Sequence, residues 1–182
     1  MNRHLPFFLA LSFVLSACSK PAPTDPVDSL LSNARNGGAQ SQMLLARRYA
    51  DGDGVEQSFK HSEFWYRVAA EGGDLQAALR LATMILEGKG VRQDPEDAFR
   101  WFKRAADGGA RRAWFYLGQC HLEGLGTAKS EIEAYAWLRM AMDDGDHRAK
   151  GAIHELRNTL KPYHVQAGDR RVATLREQFA AQ

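Results

Sequence analysis

Two aspartates separated by a glycine are the first residues whose spacing could bind a metal ion. The segment Asp51-Gly52-Asp53-Gly54 is similar to the start of a calcium-binding loop. An EF-hand loop needs further oxygen ligands and a glutamate at its twelfth position, but the fifth and twelfth positions here are Val55 and Ser62. The sequence therefore predicts a turn at this segment and no metal site.

The histidines and the cysteine Cys120 could also do chemistry, but their spacing does not support it. No two of the six histidines have the i, i+4 spacing of a helical zinc-binding pair. A catalytic Cys120 would need a histidine and an orienting group nearby in space, and the sequence indicates neither. We expect Cys120 to be half-buried filler and His121 to be a packing residue. We therefore expect no catalytic residue, no cofactor and no enzymatic activity.

The N-terminal segment has the layout of an export signal. The apolar run from Leu5 to Ala17 is shorter than the roughly 18 residues that a membrane-spanning helix needs. A positive residue, Arg3, precedes this run, and the small residues Ser16 and Ala17 end it, as in a secretory signal peptide. Cys18 comes directly after this run. In one interpretation the segment is an ordinary signal peptide and Cys18 is incidental.

The residues Leu15-Ser16-Ala17-Cys18 resemble the lipobox of bacterial lipoproteins. That resemblance implies cleavage after residue 17, acylation of Cys18 and, from Ser19, sorting to the outer membrane facing the periplasm. Two or three acyl chains anchor a protein stably to a bilayer. Residues 18–26 would form a lipidated N-terminus and a proline-rich, extended tether.

The remaining chain, 27–182, is built from a repeated unit of 36 residues. Tryptophan recurs at that interval at Trp65, Trp101 and Trp137. Pairs of glycines recur in the same register, at residues 52 and 54, 88 and 90, and 124 and 126. Such a period predicts a stacked repeat architecture. We place repeats at 37–72, 73–108 and 109–144, a partial repeat at 145–160 and a capping helix at about 162–180.

Each unit is predicted to form two helices. The first helices are expected at about 39–51, 74–87 and 110–123, each ending at a glycine that can adopt a left-handed cap. The second helices are expected to begin after Ser58, Asp94 and Ser130, which are good N-cap residues. Ser130 and Glu133 have the spacing of a capping box, in which each side chain binds the other's backbone N–H.

The repeated residues resemble the Sel-one-like repeat family, which is related to the tetratricopeptide repeats. Unit two carries its pattern in Leu81-Ala82, Gly88-Lys89-Gly90-Val91, Asp94, Ala98, Trp101, Ala105-Ala106 and Gly109. Unit three departs from it at His121, Thr127 and Met142. The resemblance implies an all-α, right-handed α-solenoid. Residues 27–36 and the C-terminal helix would close its ends, the latter through Val165, Val172, Leu175 and Phe179.

A stripe on the first helices varies from unit to unit and is the predicted binding surface. The resemblance implies that this stripe faces a concave groove. The residues chosen are Arg47, Arg80, Arg112, Tyr116, Gln119 and Arg148. Their arginines, amide and aromatic ring suit an acidic or polar peptide.

The predicted function is that of a membrane-anchored periplasmic adaptor, monomeric, that binds a protein or peptide. The alternatives are binding or processing of peptidoglycan fragments and action as a free secreted effector. The chain has 24 Lys and Arg against 22 Asp and Glu. This balance lacks the basic excess of a nucleic-acid-binding protein.

Overall fold

The structure is a computed structural model that describes residues 26–180, and this part of the chain contains nine helices and no strand. The helices are α1 (Pro26–Arg35), α2 (Ala39–Asp51), α3 (Phe59–Glu71), α4 (Leu75–Glu87), α5 (Pro95–Asp107), α6 (Ala113–Glu123), α7 (Glu131–Asp143), α8 (His147–Thr159) and α9 (Pro162–Ala180). From α1 to α8, each helix packs against the next in the chain. The predicted all-α repeat solenoid is confirmed.

The caps of the helices recur from unit to unit. α2, α4 and α6 end at glycines in the left-handed conformation, with φ values of 74°, 67° and 76°. α3, α5 and α7 begin after Ser58, Asp94 and Ser130, whose side-chain oxygens accept a hydrogen bond from the N–H three residues later. Such caps satisfy donors that have no partner within the helix. The three predicted N-caps are confirmed.

The reciprocal half of the predicted capping box is wrong. The N–H of Ser130 donates instead to the carbonyl of His121 at 2.8 Å, and the Glu133 carboxylate accepts from Arg171 at 2.8 Å. The other units have the same backbone bond across the loop, from Ser58 to Tyr49 and from Asp94 to Ile85. Since this bond already occupies the N-cap donor, Glu133 is left to pair with α9.

The first helix of unit three begins later than expected. Asp74 and Asp146 cap α4 and α8 through their carboxylates, but Ala110 holds the equivalent position and has no side-chain acceptor. The chain makes a turn there, in which the N–H of Ala113 donates to the carbonyl of Ala110 at 2.9 Å. Consequently α6 begins at Ala113 rather than at 110, and Arg112 precedes the helix.

One apolar core runs through all units. The leucines Leu45, Leu81 and Leu117 are fully buried at equivalent positions, and burial of each contributes about 1.5–3 kcal/mol. The next position holds Ala46, Ala82 or Gly118, where a small side chain lets the two helices of a unit approach closely. A methyl group added at Gly118 would lie 2.6 Å from the Leu138 side chain.

The last helix departs from the repeat geometry. α9 packs mainly against α7, the second helix of unit three, rather than against α8. The Phe179 ring lies 5.6 Å from Trp114 and 6.0 Å from Trp137, and Gly168 packs on Tyr135. Of the side chains predicted to face the core, Val172 and Leu175 are buried, while Val165 and Phe179 are half-buried. α9 therefore caps the core through unit three.

Candidate functional site

The predicted stripe residues Arg47 and Arg80 lie on either side of a cavity between α2 and α4. This α2–α4 groove has a volume of about 560 Å³. Its apolar and aromatic lining comes from Phe59, Tyr66 and Met84. Asp51, Glu87 and Lys89 also line it. The groove offers cations beside an aromatic surface, with carboxylates one to two helical turns further along.

The two arginines of the α2–α4 groove have no acidic partner in the described part of the chain. Both are exposed, and neither makes an ion pair or a side-chain hydrogen bond within residues 26–180. Burial raises the pKa of Tyr66, and the positive charges of Arg80 and Arg47 partly oppose that rise. Tyr66 is therefore a neutral phenol at physiological pH. A carboxylate in the groove can therefore bind a guanidinium group without breaking an ion pair of residues 26–180.

Two other predicted residues, Tyr116 and Arg148, are already engaged with each other. Tyr116 stacks on Phe102 with the ring centres 4.7 Å apart and the planes 3° from parallel. Arg148 donates to the Tyr116 hydroxyl at 3.2 Å and to both oxygens of Asp146 at 3.1 and 2.6 Å. Its guanidinium also lies 4.2 Å from the centre of the Phe115 ring. These contacts stabilise the packing of unit four against unit three.

The Arg148–Asp146 pair shifts the titration of both groups. The hydrogen bond between the two side chains lowers the pKa of Asp146 and raises the pKa of the Arg148 guanidinium. A ligand that used Arg148 would have to compete with this carboxylate. The pair therefore makes Arg148 a weaker anchor for an acidic ligand than Arg47 or Arg80.

The last two residues of the predicted stripe lie apart from the α2–α4 groove. Arg112 is exposed and lines a separate cavity of about 410 Å³ together with Arg148 and Asp144. Gln119 is half-buried on α6 and lines neither of these cavities. The predicted lipidation site, Cys18, is outside the described residues. The structure thus brings together Arg47 with Arg80, and Arg112 with Tyr116 and Arg148 around unit four.

Cys120, His121 and the Asp51–Gly54 segment, which were considered as possible reactive or metal-binding residues, have packing or turn roles in the structure. Cys120 was expected to be half-buried, but it is almost fully buried, and burial raises the pKa of its thiol to about 11. His121 packs edge-on against Phe99 with the ring centres 5.5 Å apart, and burial lowers its pKa. At the predicted turn, Gly52 and Gly54 both have positive φ, and Asp53 lies 4.0 Å from Arg48.

Residues 26–180 contain no group of three or more His, Cys, Asp or Glu side chains placed to hold a metal ion. Among the helices in this range, none combines the length and the apolar character needed to cross a membrane.

Sequence reasoning missed the floor of the α2–α4 groove. It chose only residues that vary on the first helices, whereas Tyr66 and Phe59 come from α3. A signal was present in the sequence, because the position of Tyr66 holds Phe102 and Leu138 in the other units. Only the first of these three side chains carries a hydroxyl.

Comparison with known proteins gives a family for this repeat. Residues 39–74, 75–109 and 112–146 each match the Sel1 repeat. A Sel1 repeat protein of Oxalobacter formigenes is 37% identical, with a TM-score of 0.63, over 71% of this chain and 97% of that one. A protective antigen of uropathogenic Escherichia coli with an SLR fold is 22% identical, with a TM-score of 0.55, over 86% of this chain and 42% of that one. The second likeness concerns the fold alone. Comparison with curated proteins gives no match.

Proposed function

The chain belongs to the Sel1 repeat family, and we propose that it is a membrane-anchored adaptor of the bacterial envelope that binds a protein or peptide in the α2–α4 groove. The Sel1 repeat fold commonly mediates protein–protein interaction, and proteins of this kind are typically non-enzymatic scaffolds. The observation that carries the proposal is the pair of exposed arginines, Arg47 and Arg80, without acidic partners among residues 26–180 beside Tyr66.

The chemistry of the groove favours an extended, acidic segment of a partner. A carboxylate between Arg47 and Arg80 would receive charge-assisted hydrogen bonds, which are stronger than neutral ones. The neighbouring aromatic and methionine side chains would bury the apolar part of the same segment. Arg148 contributes less in this view, because Asp146 and Tyr116 already hold it.

Binding can be tested by site-specific crosslinking in intact cells. A photo-crosslinking residue in place of Thr83, which lines the groove, should capture one dominant partner. The double variant Arg47→Ala/Arg80→Ala should lose that product, because it removes both cations but no buried side chain. Arg170→Ala on α9 is a matched control, since Arg170 is exposed and has no ion pair within residues 26–180. Unchanged capture by the double variant would show that the partner binds elsewhere.

Purified peptidoglycan fragments address the alternative ligand. If these fragments bind the purified protein, and Arg47→Ala/Arg80→Ala binds them equally well, the ligand is not a protein and the binding site is not the α2–α4 groove. Turnover of the fragments would contradict the expectation that the protein is not an enzyme.

The anchor is a separate part of the proposal, and it rests on the lipobox resemblance of residues 15–18. Cys18→Ala should prevent acylation and move the protein from the membrane fraction to the soluble periplasmic fraction. Incorporation of a labelled fatty acid should disappear in the same variant. A Cys18→Ala protein that still sediments with the outer membrane would contradict lipid anchoring and leave the groove test unaffected.

A further inference from the structure

The side of α8 that would face the second helix of its own unit is uncovered. In the earlier units this side holds Ala46, Ala82 or Gly118, which are buried. In unit four the same position is His154, which is exposed. Because α9 packs mainly against α7, a cavity of about 480 Å³ stays open along α8.

Basic residues replace core residues at two further positions of α8. Lys150 holds the position of the buried residues Gln42, Ala78 and Trp114. Arg157 holds the position of Tyr49, Ile85 and His121. We call Lys150, His154 and Arg157 the α8 face. All three are exposed, and within residues 26–180 none of them forms an ion pair.

The cavity beside the α8 face has an apolar floor and no acidic lining residue. Its other lining residues are Met142, His147, Gly151 and Ile153. Gly151 has no atom outside its own helix backbone close to the site where a Cβ would stand. The α8 face is therefore a row of basic residues beside a small apolar cavity. Lys150, His154 and Arg157 are spaced by four and then three residues, which places them on one side of the helix over two turns.

We propose that the α8 face binds an acidic amphipathic helix of another protein, in the place that a second helix occupies in each earlier unit. The repeat supplies the argument for a helix, because the equivalent sides of α2, α4 and α6 each receive one. The basic residues of the α8 face favour an acidic partner over α9. α9 carries Arg170, Arg171 and Arg176 against Asp169 and Glu177, so like charge opposes its movement onto this face.

A designed peptide tests the proposal directly. The probe is a helix of about 18 residues with leucines on one side and glutamates at i, i+4 and i+7 beside them. Its control carries glutamine at those three positions. The full-length protein should bind the glutamate peptide about tenfold more tightly than the control, because exposed charge pairs with Lys150 and Arg157 each contribute up to about 1 kcal/mol. Equal affinity for the two peptides would overturn the proposal.

Matched variants locate the binding. Lys150→Glu/Arg157→Glu should weaken binding of the glutamate peptide by about tenfold or more. Arg92→Glu/Arg170→Glu should leave it unchanged, because both residues are exposed, form no ion pair within residues 26–180 and lie outside the two proposed surfaces. Both pairs are exposed, so circular dichroism should show equal helicity in the two variants. If Arg47→Glu/Arg80→Glu, in the α2–α4 groove, loses binding and Lys150→Glu/Arg157→Glu keeps it, the acidic helix binds in the groove and the proposal for the α8 face is wrong.

Other occupants are distinguished by two measurements. Sedimentation equilibrium that shows a dimer, dissociated by Lys150→Glu/Arg157→Glu, would assign the face to a second copy and overturn the proposal. Binding to phosphatidylglycerol vesicles that the glutamate peptide does not displace would assign it to a lipid surface instead. NMR shifts at Lys150, Gly151 and His154 on addition of the peptide, without shifts in α2 or α4, are the supporting result.

Discussion

Replacement of Gly126 by alanine should destabilise the solenoid more than the same replacement at Gly124. Both glycines have a left-handed backbone, with φ values of 68° and 76°. Alanine therefore costs about 1–2 kcal/mol of conformational energy at either position. The two sites differ in what a methyl group would meet, so the pair separates backbone strain from packing between units.

The added methyl group at Gly126 would overlap the carbonyl oxygen of Pro95, in the first turn of α5, and would lie 2.8 Å from the Cα of Glu96. At Gly124 the nearest atom is the Cβ of Lys129 at 3.5 Å, an ordinary contact. Since the overlap at Gly126 involves backbone, units two and three must shift apart. Forced repacking of this kind costs about 1–3 kcal/mol more.

Urea unfolding followed by circular dichroism measures the difference. We expect a loss of about 1–2 kcal/mol for Gly124→Ala and of about 2–5 kcal/mol for Gly126→Ala. Equal losses in the two variants would refute the view that Gly126 permits close contact with the preceding unit. A larger loss for Gly124→Ala would refute it as well.

Two further predictions concern single side chains. Ser130→Ala should cost about 1 kcal/mol through loss of the N-cap, whereas Glu133→Gln should be coupled to Arg171 and not to Ser130. A double-mutant cycle measures this, and coupling between Ser130 and Glu133 would instead restore the capping box. Burial raises the pKa of Cys120 to about 11, so the thiol of the folded protein is almost entirely protonated at neutral pH. Alkylation by iodoacetamide at about pH 8 should be slow in buffer and fast in urea; equal rates would mean that the thiol is accessible.

The repeat register explains how much of the fold was predictable. The N-cap of the second helix and the main core positions each occur three times, so an atypical residue in one unit can be recognised from the other two. Ser58, Asp94 and Ser130 share a position without sharing an identity, and all three cap a helix. Local chemistry decides such features, and local chemistry can be read from the sequence.

The features that were missed depend on competition between partners. Glu133 could bind the N-cap of its own helix or an arginine on α9, and the choice depends on the position of α9. Tyr116 varies between units as a binding residue would, yet Phe102 and Arg148 both contact it. In each case a long-range contact in the folded state prevails, and the sequence does not show which groups will meet.

The two proposed surfaces lie toward opposite ends of the stack. Units follow one another in chain order from α1 to α8, so the α2–α4 groove belongs to the first units and the α8 face to the last. If Cys18 carries the lipid as proposed, the groove lies in the units nearest the anchor along the chain, and the α8 face lies in the unit furthest from it along the chain. The two sites share no residue, so occupation of one leaves the other open. An adaptor built in this way can bind two partners at once, one toward each end of the stack.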